Sequence, residues 1–118
     1  MILETQEKYL ECIEACQDCA TTCSNCSIAC LMEEDAQKLT RCIQLNLECA
    51  AICRSAAEIM SLGSAYAERI CEICSDICSA CANECDKHAA MMDHCEECAA
   101  ICRECAEVCQ KMVAAEVH

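Results

Sequence analysis

Cysteine recurs along this chain at intervals of three and four residues, and a thiol at every such step is a ligand set for a soft metal ion. Cys12, Cys16, Cys19, Cys23, Cys26 and Cys30 open the series. Cys71, Cys74, Cys78, Cys81 and Cys85 make a later run, and Cys95, Cys98, Cys102, Cys105 and Cys109 the last. Between the first and second runs Cys42, Cys49 and Cys53 keep the rhythm more sparsely, with Asn46 where another thiol is expected. Alternating steps of three and four are the a and d positions of a heptad, so each run draws one stripe of sulfur along one helix.

Leu and Ile normally fill such a seam, and replacing them with thiols gives up roughly 1 kcal/mol or more of burial per site. Packing alone does not explain 19 cysteines in 118 residues. Disulfides fit poorly, because residues at i and i+4 hold their Cβ atoms about 5–6 Å apart and a disulfide wants about 3.5–4.5 Å. Thiolate selects Cu(I), Zn(II) or iron in a cluster. A ladder of paired sulfurs suits Cu(I), which accepts two or three thiolates and shares them between ions. Zinc takes four ligands per closed site, so the same thiols would hold only about four or five ions. Cys12, Cys16 and Cys19 match the radical-SAM spacing, but as an unavoidable subset of the heptad. Ferredoxin signatures carry a proline, and this chain has none. Cysteine-rich zinc binding and iron–sulfur electron transfer stay open as the alternatives.

Four stripes require four helices, placed at about residues 4–31, 35–60, 64–88 and 91–113. The breaks fall at Glu33-Glu34-Asp35, around Gly63, and between Lys87 and Asp93, with Asp35, Ser64 and Asp93 as the expected N-caps. Short connections make successive helices antiparallel. The fold class is therefore all-α: an antiparallel up-down-up-down four-helix bundle with a cysteine-lined core, residues 1–118 forming one domain. The second helix is apolar beyond its stripe, with Leu45, Ile52 and Ile59 on one flank and Ile43, Leu47 and Ala50 on another. That surplus predicts a homo-oligomer interface on this helix.

Alternating helix directions gather Cys30, Met32, Leu39, Cys42, Cys85, His88, Met91, Met92, His94 and Cys95 at one end. Tyr9, Ala56, Met60, Ala67 and Met112 gather at the other. The first end reads as a mouth and the second as a plug. His88 and Met91 extend the thiol stripes and join the cysteines as expected metal ligands. Met92 and His94 lie off the stripes and are left out, Met32 is a cover for the core end, and the terminal His118 is set apart from the site.

A net charge of −13 and a pI near 4.4 point away from nucleic acid and anionic membrane. One glycine and no proline exclude glycine-rich nucleotide loops and turn-dense β folds. No basic segment followed by an apolar one opens the chain, and no apolar stretch approaches a membrane span. The expected compartment is the cytoplasm, where thiols stay reduced. No Ser/His/Asp set, inward carboxylate pair or cofactor loop suggests an enzyme.

These residues resemble the bacterial copper storage proteins over nearly the whole length. The resemblance is carried by the three dense cysteine runs, the sparser Cys42, Cys49 and Cys53, and the histidines His88 and His94 before the last run. It implies a cytosolic homotetramer of bundles, each storing many Cu(I) ions in its core. The Ala-Ala-Met-Met segment after His88 makes the mouth poorer in histidine than that resemblance leads one to expect.

Overall fold

In a computed structural model, which describes residues 7–116, the chain runs through four helices. They are α1 (Leu10–Leu31), α2 (Thr40–Ser61), α3 (Ala67–Asp86) and α4 (Asp93–Glu116), with one 3-10 turn at Ala36–Leu39 before α2. Each helix packs on its sequence neighbours and α1 closes the ring against α4. Facing residues run in opposite order, as an up-down-up-down bundle requires. Cys12 meets Cys109 while Cys23 meets Cys98, and Cys42 meets Cys85 while Cys53 meets Cys74. None of the described helices is long and apolar enough to cross a membrane.

The helix ends explain where the expected boundaries shift. Gly63 closes α2 at φ 64°, a left-handed position that glycine occupies without a Cβ penalty. Its N–H reaches the Met60 carbonyl at 3.0 Å and the Ser64 N–H reaches that of Ile59 at 3.4 Å, the paired bonds of a Schellman motif. The other two connections lack glycine and bend by successive turns instead. Glu33, Ala36 and Lys38 donate to Cys30, Glu33 and Asp35, and Lys87, His88 and Met91 donate to Glu84, Cys85 and His88. Such turns consume residues that the heptad had assigned to helix, so α2 starts at Thr40, α3 ends at Asp86 and α4 starts at Asp93. Asp35 caps only the 3-10 turn and makes no side-chain cap bond. Ser64 accepts the Tyr66 N–H at 3.0 Å one turn ahead of α3, and Asp93 is the first residue of α4. The start placed near residue 4 and the reading of His118 fall outside the described residues.

All nineteen cysteines face inward, each at most 2% exposed, and all are free thiols. Between the sulfur stripes the helix contacts are made by small residues: Ala20 and Ser27, Ala50 and Ala57, Ser75 and Ala82, Ala99 and Ala106 are buried. Small side chains let backbones approach closely, which is what a core of short thiols needs in order to pack. Ser27 and Ser75 satisfy their hydroxyls on the carbonyls of Cys23 and Ala106, at 3.0 and 3.1 Å.

The apolar surplus of α2 divides. Leu45 and Ala50 are buried within the bundle, a correction to their expected place in an oligomer interface. Ile52 and Ile59 are half-buried against the core. Leu47 remains 55% exposed. With Leu31, Ala36, Thr40 and Ile43 it lines an open apolar groove of ≈ 440 Å³.

Candidate metal centre

Helix geometry places a thiol at each turn along the stripes of α1, α3 and α4 and three more on α2, and the antiparallel ring brings the four walls together. At the plugged end Cys12 and Cys109 stand 3.5 Å apart, and the Cys71 thiol lies 3.5 Å from the Met60 thioether. Tyr9, Ala56 and Ala67 are buried there and close the end, as expected. Met60 differs from a plain plug, because its Sδ belongs to the line of sulfur.

Further in, Cys16 meets Cys74, Cys105 and Cys109 at 3.8–3.9 Å. At mid-bundle the Cys19 sulfur lies 3.8–3.9 Å from those of Cys23, Cys49, Cys78 and Cys102, so all four helices contribute to one layer. Sulfurs that could grip one ion fall into overlapping quartets. They include Cys16/Cys53/Cys74/Cys105, Cys19/Cys53/Cys78/Cys105, Cys19/Cys23/Cys49/Cys102 and Cys23/Cys81/Cys98/Cys102. The first two share Cys53 and Cys105, the second and third share Cys19, and the third and fourth share Cys23 and Cys102. No sulfur-to-sulfur contact in this ladder approaches the roughly 2.05 Å of a disulfide. The spacings of 3.5–4.0 Å also leave no room between the thiols for an inorganic iron–sulfide core.

Asn46 interrupts the ladder above that layer. Its side chain is fully buried, and its Oδ1 accepts from the thiols of Cys81 at 3.0 Å, Cys98 at 3.2 Å and Cys85 at 3.8 Å. Its Nδ2 donates to Cys42 Sγ at 3.7 Å. The sequence marked this position as a missing thiol. What it could not show is that the amide gathers thiols from three helices.

The mouth is built differently from its heptad projection. His94, placed off the stripe, turns Nδ1 to Cys26 at 3.4 Å, Cys95 at 3.6 Å and Cys30 at 4.0 Å. With those three thiols it forms a fourfold donor group. The Met92 thioether, also left out, lies 4.0 Å from Cys95 Sγ. Met91 is corrected in the opposite direction. It sits in the turn before α4, where heptad spacing no longer applies, and is 88% exposed. His88 lies in the turn after α3, with Nε2 paired to Glu84 Oε2 at 3.2 Å. Met32 is 81% exposed and covers nothing. Leu39 is buried as a lid residue.

Neighbouring thiols tune one another. Hydrogen bonds from Cys42 and Cys85, reinforced by His94, draw the Cys26 thiol down to about 6. Cys105 is drawn down to about 7 by Cys109 and Cys16. Burial pushes Cys30 and Cys95 up, and the charge of Cys26 adds to it. Burial opposes a charged imidazole at His94, but the hydrogen bonds to Cys26 and Glu33 prevail and raise it. Such a row gives up protons readily at some sulfurs while keeping its neighbours neutral, which is what an incoming cation needs.

Comparison with known proteins agrees with this chemistry. Residues 5–114 match the family model described as copper storage protein. The solved cytosolic copper storage protein of Streptomyces lividans, loaded with five coppers, superposes with a TM-score of 0.89 at 37% identity, covering 93% of this chain and 95% of that one. The Cu(I)-bound copper storage protein BsCsp3 superposes with a TM-score of 0.85 at 44% identity, covering 90% and 98%. The cysteine-rich protein YhjQ of Bacillus subtilis (strain 168) is 47% identical over 83 residues, 70% of this chain and 77% of that protein.

Proposed function

This chain belongs to the copper storage protein family, and we propose that it stores many Cu(I) ions on its core thiolates and so buffers cytosolic copper. One observation carries the reading: the thiol quartets overlap along a single axis and share their corners. A closed zinc site owns its four ligands. A ligand set with shared corners instead favours an ion that accepts two or three sulfurs and lets each sulfur bridge. All nineteen cysteines are the ligands, joined at the mouth by His94.

Charge supports the same choice. A thiol that releases H⁺ and takes Cu⁺ leaves the buried core unchanged in net charge, whereas Zn²⁺ on four thiolates leaves negative charge in a medium that penalises it. With bridging sulfurs the capacity approaches one ion per cysteine, roughly 15–20 per chain. Since no single thiol is set apart as a nucleophile, the protein binds and releases rather than catalyses. The apolar groove of Leu31, Ile43 and Leu47 supports assembly into a homotetramer. Free thiols throughout suit a reducing compartment.

The test is an anaerobic titration of reduced, metal-free protein with Cu(I) in the presence of a chromogenic Cu(I) chelator. About one ion per cysteine withheld from the chelator is the expected result. A chelator that responds after only a few ions overturns the storage reading, and a parallel Zn(II) titration ending near four would replace it.

A further inference from the structure

The closed end of the bundle carries a sulfur that a count of thiols omits. Along α2 the inward stripe ends on Cys49, Cys53, Ala56 and Met60, all buried, so its last position is a thioether. At the same end α1 brings Cys12, α3 brings Cys71 and α4 brings Cys109. Each of the four walls therefore contributes one sulfur. Cys12 and Cys109 stand 3.5 Å apart, and the Cys71 thiol donates to Met60 Sδ at 3.5 Å. Cys71 also interacts with the thiols of Cys12 and Cys109. Tyr9, Ala56 and Ala67, buried around this layer, bring no sulfur to it.

A flexible thioether is a good filler of irregular core space. The α2 wall shows that an end can be closed without one, because Leu39, just ahead of α2, is buried at the mouth. Two features separate Met60 from a filler. The first is orientation. Its sulfur accepts the Cys71 thiol proton, so a lone pair already faces the ladder, and an ion that replaces the proton meets that lone pair. The second is charge. Inside the ladder a thiolate such as Cys19 has four sulfur neighbours at 3.8–3.9 Å and is shared between ions on both sides. At the end of the ladder ions stand on one side only. A fourth thiolate there would bring a buried negative charge with no further ion to balance it. A thioether completes the set with a soft, neutral donor.

We propose that Met60 closes the ladder as a metal ligand: with Cys12, Cys71 and Cys109 it forms a terminal Cu(I) site at the end opposite the mouth. The inference rests on the copper storage reading for the identity of the ion. Binding releases the thiol proton to solvent and adds a neutral electron pair from Sδ, so nothing is oxidised or reduced.

Selenium-edge X-ray absorption of the selenomethionine-substituted protein, reduced and loaded with Cu(I), reads the bond directly. Selenium–copper scattering is expected in the parent and is expected to fall in Met60→Leu. Leucine conserves the volume of the side chain, so the helix content and urea midpoint of the reduced apo-variant should stay close to those of the parent. In anaerobic competition with a chromogenic chelator, Met60→Leu should retain about one ion fewer than the parent. Met91→Leu, at a residue 88% exposed in the turn before α4, should match the parent. A parent without selenium–copper scattering overturns the proposal, whatever the stability of the variant. So does scattering that Met60→Leu leaves undiminished, equal retention in Met60→Leu and the parent, or an equal loss in Met91→Leu. A parent capacity of only a few ions would sink the storage reading instead, while scattering that depends on Met60 would still mark its thioether as a copper ligand.

Discussion

Cys19→Ser tests whether the thiol ladder is one continuous store or a row of separate centres. The Cys19 sulfur lies 3.8–3.9 Å from four others and belongs to two of the overlapping quartets. If each Cu(I) takes two or three sulfurs and the ratio approaches one ion per thiol, each sulfur serves about two ions. A hydroxyl is not a ligand for so soft an ion. Its removal should lower capacity by about one or two ions of roughly 15–20, since neighbours in the shared quartets re-bridge the remainder. The apo-fold should survive. A serine on these helices finds its partner four residues back, as Ser27 does at 3.0 Å and Ser61 at 2.7 Å, and Ala15 offers that carbonyl to residue 19. Exchanging buried sulfur for oxygen then costs about 1 kcal/mol. Chelator titration measures the first quantity, and urea unfolding of the reduced apo-protein the second. Unchanged capacity would show that Cys19 binds nothing. A loss of four or more ions with an intact apo-fold would show a cooperative cluster rather than a bridged ladder, and either result refutes the shared-corner argument.

Asn46→Cys should add about one ion to the capacity, because the side chain already stands within 3.0–3.8 Å of four thiols; a titration showing no gain means that this layer is closed to copper. The stability of the reduced apo-protein should fall as pH rises above about 9. Burial, with Cys26 adding to it, holds the Cys30 and Cys95 pKa values above the ordinary 9.0, so the fold keeps protons that the unfolded chain loses. Their contribution is complete below the unfolded value and declines above it; urea midpoints that rise as pH increases beyond about 9 contradict this. Leu47→Glu places a charge in the apolar groove beside Leu31 and Ile43 and should dissociate the proposed tetramer with the helix content unchanged, read by light scattering and circular dichroism. An assembly of undiminished mass would place the interface elsewhere.

Within the helices, sequence alone was enough to place the thiols. A step of three and four keeps a residue on one face wherever the backbone turns at 3.6 residues, so every cysteine assigned to a stripe is buried in the core. Gly63, the single glycine, likewise marks a helix end because the left-handed position it fills is costly for any other residue. The bundle itself follows from four such faces and short connections.

Outside the helices that regularity fails, and tertiary structure decides. Heptad counting puts Met91 inward only by running through a turn that does not keep the helical angle, and the chain turns it to solvent instead. His94 lies off the stripe by the same count, yet as the second residue of α4 it reaches across to Cys26 and Cys30 of α1. Glu33 was read only as part of a break, because no period links it to a histidine sixty-one residues away. Asn46 was visible as an exception in its stripe, but its bonds go to Cys81, Cys85 and Cys98 on other helices. By period alone Leu45 belongs to the interface surplus, yet the approach of its neighbours buries it within its own bundle. Periodicity reports which face of one helix a residue occupies. Which atoms meet depends on the distance and angle between helices, and no single helix carries that information.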